Sequence, residues 1–157
     1  GFPDVATVSS LAEILGVSEQ TLLSGKLKIG RGEPGNMKKT KFYVCPTCGS
    51  FLTGTANNQI VCCGKPLEAL VPKKVDSDHE IRITQPDDEF YIEFHHPMTK
   101  EHYISFVSYV RFDRILTVRL YPEQDGAVRI PRMYGGKLYF YCNRHGLVEH
   151  PLKSNKP

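Results

Sequence analysis

Four of the five cysteines lie close together in the chain, and this cluster constrains the structure more than any other feature of the sequence. The clustered residues are Cys45, Cys48, Cys62 and Cys63. The fifth, Cys142, stands far downstream, near His145. A secreted disulfide scaffold usually carries an even number of cysteines spread over its loops. The grouping therefore favours metal binding over disulfide bonds.

The spacing within the cluster predicts a site with four sulfur ligands. The tight turn in Cys45-Pro46-Thr47-Cys48-Gly49 can direct two sulfurs at one point, and Gly49 allows a positive φ. Cys62 and Cys63 are adjacent, so in an extended strand they would point to opposite faces. Both can reach one metal only if the chain bends, which Gly64 allows. We expect a distorted tetrahedron. The alternatives are a structural zinc ribbon and free thiols, and four sulfurs alone accept both iron and zinc.

Composition limits the classes of protein to which the chain can belong. Its 157 residues suffice for one well-packed domain or two small ones, and 40% hydrophobic and 24% charged residues are ordinary for a globular protein. A net charge of +3 is too small to indicate nucleic-acid binding, although it attracts small anions slightly. No apolar run approaches the roughly 18 residues that span a bilayer, and no signal peptide opens the chain. We predict a cytoplasmic protein without a membrane contact, and we interpret the start at Gly1 as a cut.

Hydrophobic periodicity divides the chain into a helical start and a long β region. Leu11, Ile14 and Leu15 have helical spacing, with Gly16 ending this helix and Ser18 capping a second. From residue 41 onward apolar residues alternate at a period of two, as in half-buried strands. The alternating positions are Ile81/Ile83, Phe90/Ile92/Phe94, Ile104/Phe106/Val110/Phe112, Leu116/Val118/Leu120 and Leu138/Phe140. We predict a mainly β protein containing an antiparallel β-sandwich. We predict four segments. Residues 1–25 are helical, residues 26–40 form a linker that contains Gly and Pro, residues 41–71 form a four-cysteine metal module, and residues 72–157 form the sandwich.

The sandwich segment contains a second group of potential metal ligands. They are His79, His96, His102, Cys142 and His145. Four imidazoles and one thiolate can form a square-pyramidal iron site, with the sulfur axial and the sixth position open to an anionic diatomic ligand. His95 should face away from its neighbour His96, and His150 should be solvated in a polar tail. His79 lies apart from the other candidates in the sequence, and the alternative to a ligand role is that it is an ordinary surface residue.

Both groups resemble one known family. The segments Tyr43–Gly49 and Val61–Leu67 look like desulforedoxin, the small module with one iron and four sulfur ligands at the front of desulfoferrodoxin, and the adjacent cysteine pair followed by Gly64 is the discriminating feature. The His and Cys set resembles the catalytic domain of superoxide reductases, the neelaredoxin and desulfoferrodoxin family. This resemblance covers roughly residues 40–150.

The resemblance implies an immunoglobulin-like β-sandwich and two mononuclear iron ions, with zinc able to replace iron at the four-cysteine site. His79, His96, His102 and His145 would be the equatorial ligands and Cys142 the axial ligand. The implied reaction is one-electron reduction of superoxide to hydrogen peroxide, with electrons from an external donor such as rubredoxin. Desulforedoxin-like modules tend to pair, which implies a homodimer.

One departure from the family concerns the residues before the first histidine. Family members commonly have Glu-Lys there, and the lysine guides superoxide, but this chain has Ser77-Asp78. An acidic residue beside the open position would repel an anion and lower the efficiency. Lys73 and Lys74 are close in sequence and are the candidates to replace the missing lysine.

The first 25 residues carry a second resemblance. Phe2-Pro3-Asp4, Leu11–Ser18 and Leu22–Gly25 resemble the last two helices of a Cro or phage-repressor helix-turn-helix domain. In that family the base-reading helix precedes this stretch, so DNA would be bound only through a part of the protein before Gly1. The alternatives are a helical hairpin that packs on the sandwich or dimerises.

These observations lead to two hypotheses of different classes. The chain is either a superoxide reductase or a redox- or iron-responsive transcriptional regulator, in which the iron domain is the sensor for a DNA-binding head. A purely structural zinc protein is the third option.

Overall fold

A computed structural model describes residues 4–15, 19–25, 36–55 and 59–152. The chain forms two compact units, residues 1–34 and residues 35–157. Within the described ranges, no helix combines the length and apolar character that crossing a membrane would require.

The described part of the first unit contains two helices. Helix α1 spans Val5–Leu15 and helix α2 spans Glu19–Ser24. The Asp4 carbonyl accepts the N–H groups of Thr7 and Val8 at the start of α1, and the Ser9 hydroxyl donates to the Glu19 carboxylate over 2.5 Å. The helices confirm the helical prediction for the described part of residues 1–25. Gly16 and Ser18, predicted to end one helix and cap the next, lie outside the described residues, as do Phe2 and Pro3.

The second unit, as far as the structure describes it, consists mainly of twelve short strands. They are β1 (Lys41–Val44), β2 (Phe51–Gly54), β3 (Ile60–Cys62), β4 (Lys65–Leu67), β5 (Lys73–Lys74), β6 (Ile81–Thr84), β7 (Glu89–Phe94), β8 (Ile104–Val110), β9 (Ile115–Arg119), β10 (Ala127–Pro131), β11 (Lys137–Cys142) and β12 (Gly146–Pro151). Short 3-10 helices, Met37–Lys39 and Ser77–His79, precede β1 and β6.

Two sheets form the sandwich. One has the order β10-β7-β6 and the other β5-β12-β11-β8-β9, and their neighbouring strands are antiparallel except in the short β5–β12 pair. Strand β7 buries alternate residues, Phe90, Ile92 and Phe94, as the period-two pattern predicts. They pack with Leu138 and Phe140 of β11 in one core, so the predicted antiparallel β-sandwich is confirmed.

Strand β8 is covered on both faces, because all seven of its residues are buried. A register shift beside β11 changes the alternation near the start of β8. As a result Ile104 joins Val107 and Tyr109 in the sandwich core. Phe106 and Val110, on the other face of β8, pack against Phe42 of the cysteine segment. The cysteine segment contains the hairpins β1–β2 and β3–β4, and through Phe42 it packs on the outer face of the larger sheet.

Several details differ from the sequence-based expectations. His150 is not in a solvated tail: pairing with Leu138 keeps it in β12, where its Nδ1 is buried without a hydrogen-bond partner among the described residues. Phe112 lies beyond the end of β8 and is 56% exposed. The end of the predicted linker is tied to the second unit, since Met37 donates its N–H to the carbonyl of Phe112. The linker residues 26–35 lie outside the described residues.

Candidate metal centres

The four clustered cysteines converge on one point. Their sulfur atoms all lie within 4.8 Å of one another, and the residues concerned are Cys45, Cys48, Cys62 and Cys63. None of the four forms a disulfide bond. The Sγ atoms of Cys48 and Cys62 are 3.6 Å apart, close to the roughly 3.8 Å edge of a tetrahedron built on metal–sulfur bonds of about 2.3 Å.

Local backbone geometry explains the convergence. Gly49, with φ of 68°, closes the first turn by donating its N–H to the Cys45 carbonyl over 2.8 Å. Cys63 and Gly64 have φ values of 50° and 73°, so the chain turns sharply directly after β3. The predicted bend at the adjacent cysteines is therefore confirmed, and it brings both sulfurs to the same side.

The acidities of these thiols fit a cation-binding cluster. The Ser50 hydroxyl lies 3.0 Å from the Cys48 sulfur, and this hydrogen bond lowers the pKa of Cys48 to about 6. The neighbouring Cys48 raises the pKa of Cys62 to about 12. A second thiolate beside the first is unfavourable without a compensating charge. A bound metal cation supplies that charge, so these residues fit a metal ion.

The second group of predicted ligands lies at one end of the sandwich. Strand β11 alternates so that Leu138, Phe140 and Cys142 are its buried residues, and Cys142 ends the strand. His145 follows in the tight turn before β12, in which Gly146 has φ of 90°. The ring of Cys142's neighbour Tyr141 stacks on Phe106, on the side of the cysteine segment.

The remaining histidines reach the same place from three other segments. His79 ends a 3-10 helix before β6, His96 follows β7 by two residues, and His102 precedes β8 by two. Donor atoms of His79, His96, Cys142 and His145 lie within 4.8 Å of one another. His102 lies outside that limit, although its ring centroid is 4.4 Å from that of His96 and 4.8 Å from that of His145. All five predicted residues are thus neighbours, and four of them form the tight group.

Buried imidazole nitrogens indicate what this site can bind. Both ring nitrogens of His96 and Nε2 of His102 are buried without a hydrogen-bond partner among the described residues. An unsatisfied buried polar atom costs about 1–3 kcal/mol. Burial lowers the pKa of His96 to about 4, so at neutral pH the ring is uncharged and one of its nitrogens has a lone pair available for a metal. Imidazole and thiolate suit iron and zinc, and a metal ion would satisfy one nitrogen of each ring.

Hydrogen bonds hold the ligand-bearing turns in place. Asn143 accepts the Tyr103 N–H over 2.9 Å and donates to the Glu101 carbonyl over 3.1 Å, which ties the turn of Cys142 and His145 to the turn of His102. On the other side, the Lys73 ammonium donates to the His145 carbonyl over 3.1 Å. The turn that carries His145 is therefore fixed from two directions.

Two residues that support the second site were not predicted from the sequence. Asp76 binds Nδ1 of the buried His79 through Oδ1 at 2.5 Å, and Asn143 links the two turns. The position of an Asx residue three before a predicted histidine ligand is the signal that could have revealed Asp76. His95, in contrast, is exposed and belongs to neither group of ligands in the described chain, as predicted.

Comparison with known proteins gives a consistent result. No protein-family model matches the chain. It is 30% identical over 120 residues to a desulfoferrodoxin of Syntrophotalea carbinolica, covering 70% of this chain and 94% of that protein. A desulfoferrodoxin of Clostridium acetobutylicum is 28% identical over 113 residues, covering 67% of this chain and 90% of that protein.

A solved structure shows the same fold. The superoxide reductase from Treponema pallidum matches with a TM-score of 0.62 and 22% identity, over 71% of this chain and 96% of that chain. The paired metal-binding clusters, the sandwich and the relatives agree with one another. The chain belongs to the desulfoferrodoxin family.

Proposed function

We propose that the protein is a superoxide reductase that works at the site of His79, His96, His102, Cys142 and His145. The observation that carries the proposal is the convergence of these side chains at one end of the sandwich, with buried imidazole nitrogens that lack a partner among the described residues. The named relatives are desulfoferrodoxins, and the fold matches that of a superoxide reductase.

In this proposal the four histidines and Cys142 hold a single iron ion. Iron bound there would supply the one electron that superoxide needs, and an external donor such as rubredoxin would restore it. The balanced change is superoxide plus one electron and two protons, giving hydrogen peroxide without release of oxygen. The residues' part is to bind through neutral imidazoles and one thiolate and to keep the site rigid through the Asn143 and Lys73 contacts.

Charged side chains near the site bear on how an anion approaches. Burial lowers the pKa of His102, as do His145 and Arg144, whereas the carboxylate of Asp78 raises it, so the charges of both Arg144 and Asp78 act on that ring. Asp78 opposes the approach of an anion. We propose that Lys73, whose ammonium lies on the His145 carbonyl, supplies the positive charge that the sequence lacks at position 78.

The four-cysteine site has a supporting role in this proposal. Cys45, Cys48, Cys62 and Cys63 hold a second iron ion, or zinc in its place, and the site is either structural or assists electron delivery. A homodimer and a cytoplasmic location also belong to the proposal.

The yield of products tests the proposed reaction. The iron-loaded protein, supplied with superoxide and a reduced rubredoxin, should form one peroxide per superoxide and no oxygen. Equal amounts of oxygen and peroxide would indicate dismutation and would contradict a reductase. The double variant His96→Ala/His102→Ala is the control and should lose the reaction.

A redox- or iron-responsive regulator is the second candidate. Residues 1–34 form a compact unit of their own, which contains helices α1 and α2, and this observation favours the regulator. In this hypothesis the helices belong to a helix-turn-helix head. Stoichiometric oxidation of the site without turnover, even with reductant present, would support the sensor. Sustained turnover would support the enzyme.

A further inference from the structure

Asp76 contacts a proposed metal ligand although it is not itself a ligand. Its Oδ1 lies 2.5 Å from Nδ1 of His79. The same oxygen accepts the backbone N–H of Asp78 over 3.2 Å, at the start of the 3-10 helix Ser77–His79. The Asp76 side chain is 56% exposed, whereas that of His79 is 1% exposed. A solvated carboxylate therefore reaches inward to a buried imidazole.

The contact determines which nitrogen of His79 can bind a metal. An ionised carboxylate only accepts hydrogen bonds, so Nδ1 carries the hydrogen and donates it. The lone pair of the neutral ring is then on Nε2, which lies 3.1 Å from Nδ1 of His145 inside the ligand group. With the other tautomer, Nδ1 and the carboxylate would face each other without a hydrogen.

We propose that Asp76 is a positioning residue for the second metal site, which fixes the tautomer and orientation of His79 and increases the electron donation of its ring. The proposal rests on the proposed function, because it assumes that His79 is a ligand. Carboxylates that bind the outer nitrogen of a metal-bound histidine act in this way in general.

The neighbouring Asp78 separates this role from simple charge. Asp78 lies in the same 3-10 helix and carries the same charge, but only its backbone N–H takes part in the Asp76 contact. If the carboxylate of Asp76 acted only by attracting a cation, removing either charge would have a similar effect. If it acts by holding His79, only the change at Asp76 should weaken the site strongly.

The experiment measures metal binding and potential rather than turnover. Fe2+ affinity, Co2+ ligand-field spectra and the midpoint potential of the second site are compared in the parent and in Asp76→Ala, Asp76→Asn and Asp78→Asn. Asp76→Ala should lower the affinity for Fe2+ by about 10- to 100-fold and raise the potential. Asp76→Asn, whose amide oxygen can still accept from Nδ1, should keep much of the affinity but also show a raised potential.

The controls make the result decisive. Asp78→Asn should change the Fe2+ affinity by no more than about threefold. This is well below the loss of affinity expected when a residue that hydrogen-bonds to a metal ligand is removed. Hydrogen-exchange protection of strands β8 and β11 reports whether the sandwich of each variant is still folded. Parent-like affinity and potential in Asp76→Ala, or an equal loss in Asp78→Asn, would overturn the inference while leaving the proposed function intact. Failure of the parent to bind iron with its histidines would overturn both.

Discussion

Single residues decide what the end of the sandwich can bind. Alternation along β11 sends Cys142 inward and its neighbour Tyr141 outward, so one thiol reaches the histidines while the adjacent ring packs towards the cysteine segment. This part of the site could be predicted from sequence, because strand alternation is a local property. The Asp76–His79 contact depends on a 3-10 turn that no periodicity reveals, so only the Asx residue three before His79 could have indicated it.

His102 provides a direct test of the fifth ligand, since it lies outside the tight group of four. The variant His102→Ala should weaken iron binding at the second site by at least about tenfold. Loss of a residue that only hydrogen-bonds to a metal ligand already lowers metal affinity by about 10- to 100-fold, and loss of a ligand should cost no less. Iron titration followed by absorption measures the change. His95→Ala is the matched control and should behave like the parent, because His95 is exposed. Unchanged affinity in His102→Ala would exclude this residue as a ligand.

Lys73 provides a second test at the residue scale. Lys73→Ala should slow the reaction with superoxide by about 2- to 10-fold at low salt. One charge accounts for only part of the rate increase that electrostatic steering by a whole protein can give. Lys74→Ala removes the same charge one residue later in β5 and should have a smaller effect. The rates are measured at several salt concentrations by rapid mixing. A parent-like rate and salt dependence in Lys73→Ala would remove Lys73 from the mechanism.

At the scale of elements, the strands with clear alternation were predictable and the others were not. Phe90, Ile92 and Phe94 predict β7 because one face is buried. Strand β10 offers only Val128 and Ile130 as buried alternating residues, which is too short a pattern for period-two recognition. The wrong expectation for His150 has a similar origin, since pairing between distant strands extends β12 further than local composition indicates.

A pair of phenylalanines tests which elements form the core. Phe90 of β7 is fully buried, whereas Phe112 beyond β8 is 56% exposed. Phe90→Ala should lower the free energy of unfolding by about 3–5 kcal/mol through lost packing and the cavity that remains. Phe112→Ala should change it by no more than about 0.5 kcal/mol. Urea unfolding of the iron-loaded protein measures both, and equal effects would contradict the position of the core.

At the scale of the whole molecule, the second unit joins two metal-binding clusters through one aromatic contact region. Phe51 and Phe106 have ring centroids 4.2 Å apart, and Phe42 packs beside both. The cysteine hairpins are only three or four residues per strand, too short to be stable alone. We therefore expect their order to depend on this contact and on a metal bound by the four cysteines, since structural metals typically contribute roughly 10 kcal/mol or more.

Removal of the metal from the four-cysteine site should therefore unfold one part of the molecule and spare another. In Cys48→Ser/Cys62→Ser, amides of β3 and β4 should lose hydrogen-exchange protection, while those of β8 and β11 should keep it. The sandwich has its own core, so its protection does not require that metal. Uniform loss of protection across the second unit would show instead that the two parts fold as one.

The most direct test of the proposed enzyme is rapid mixing of the reduced, iron-loaded protein with superoxide, following the absorption of the second site and the peroxide formed. We predict fast oxidation of that site with one peroxide per superoxide, and loss of the signal in His96→Ala/His102→Ala. A fully iron-loaded site that reacts slowly or not at all with superoxide would contradict the reductase and favour the sensor.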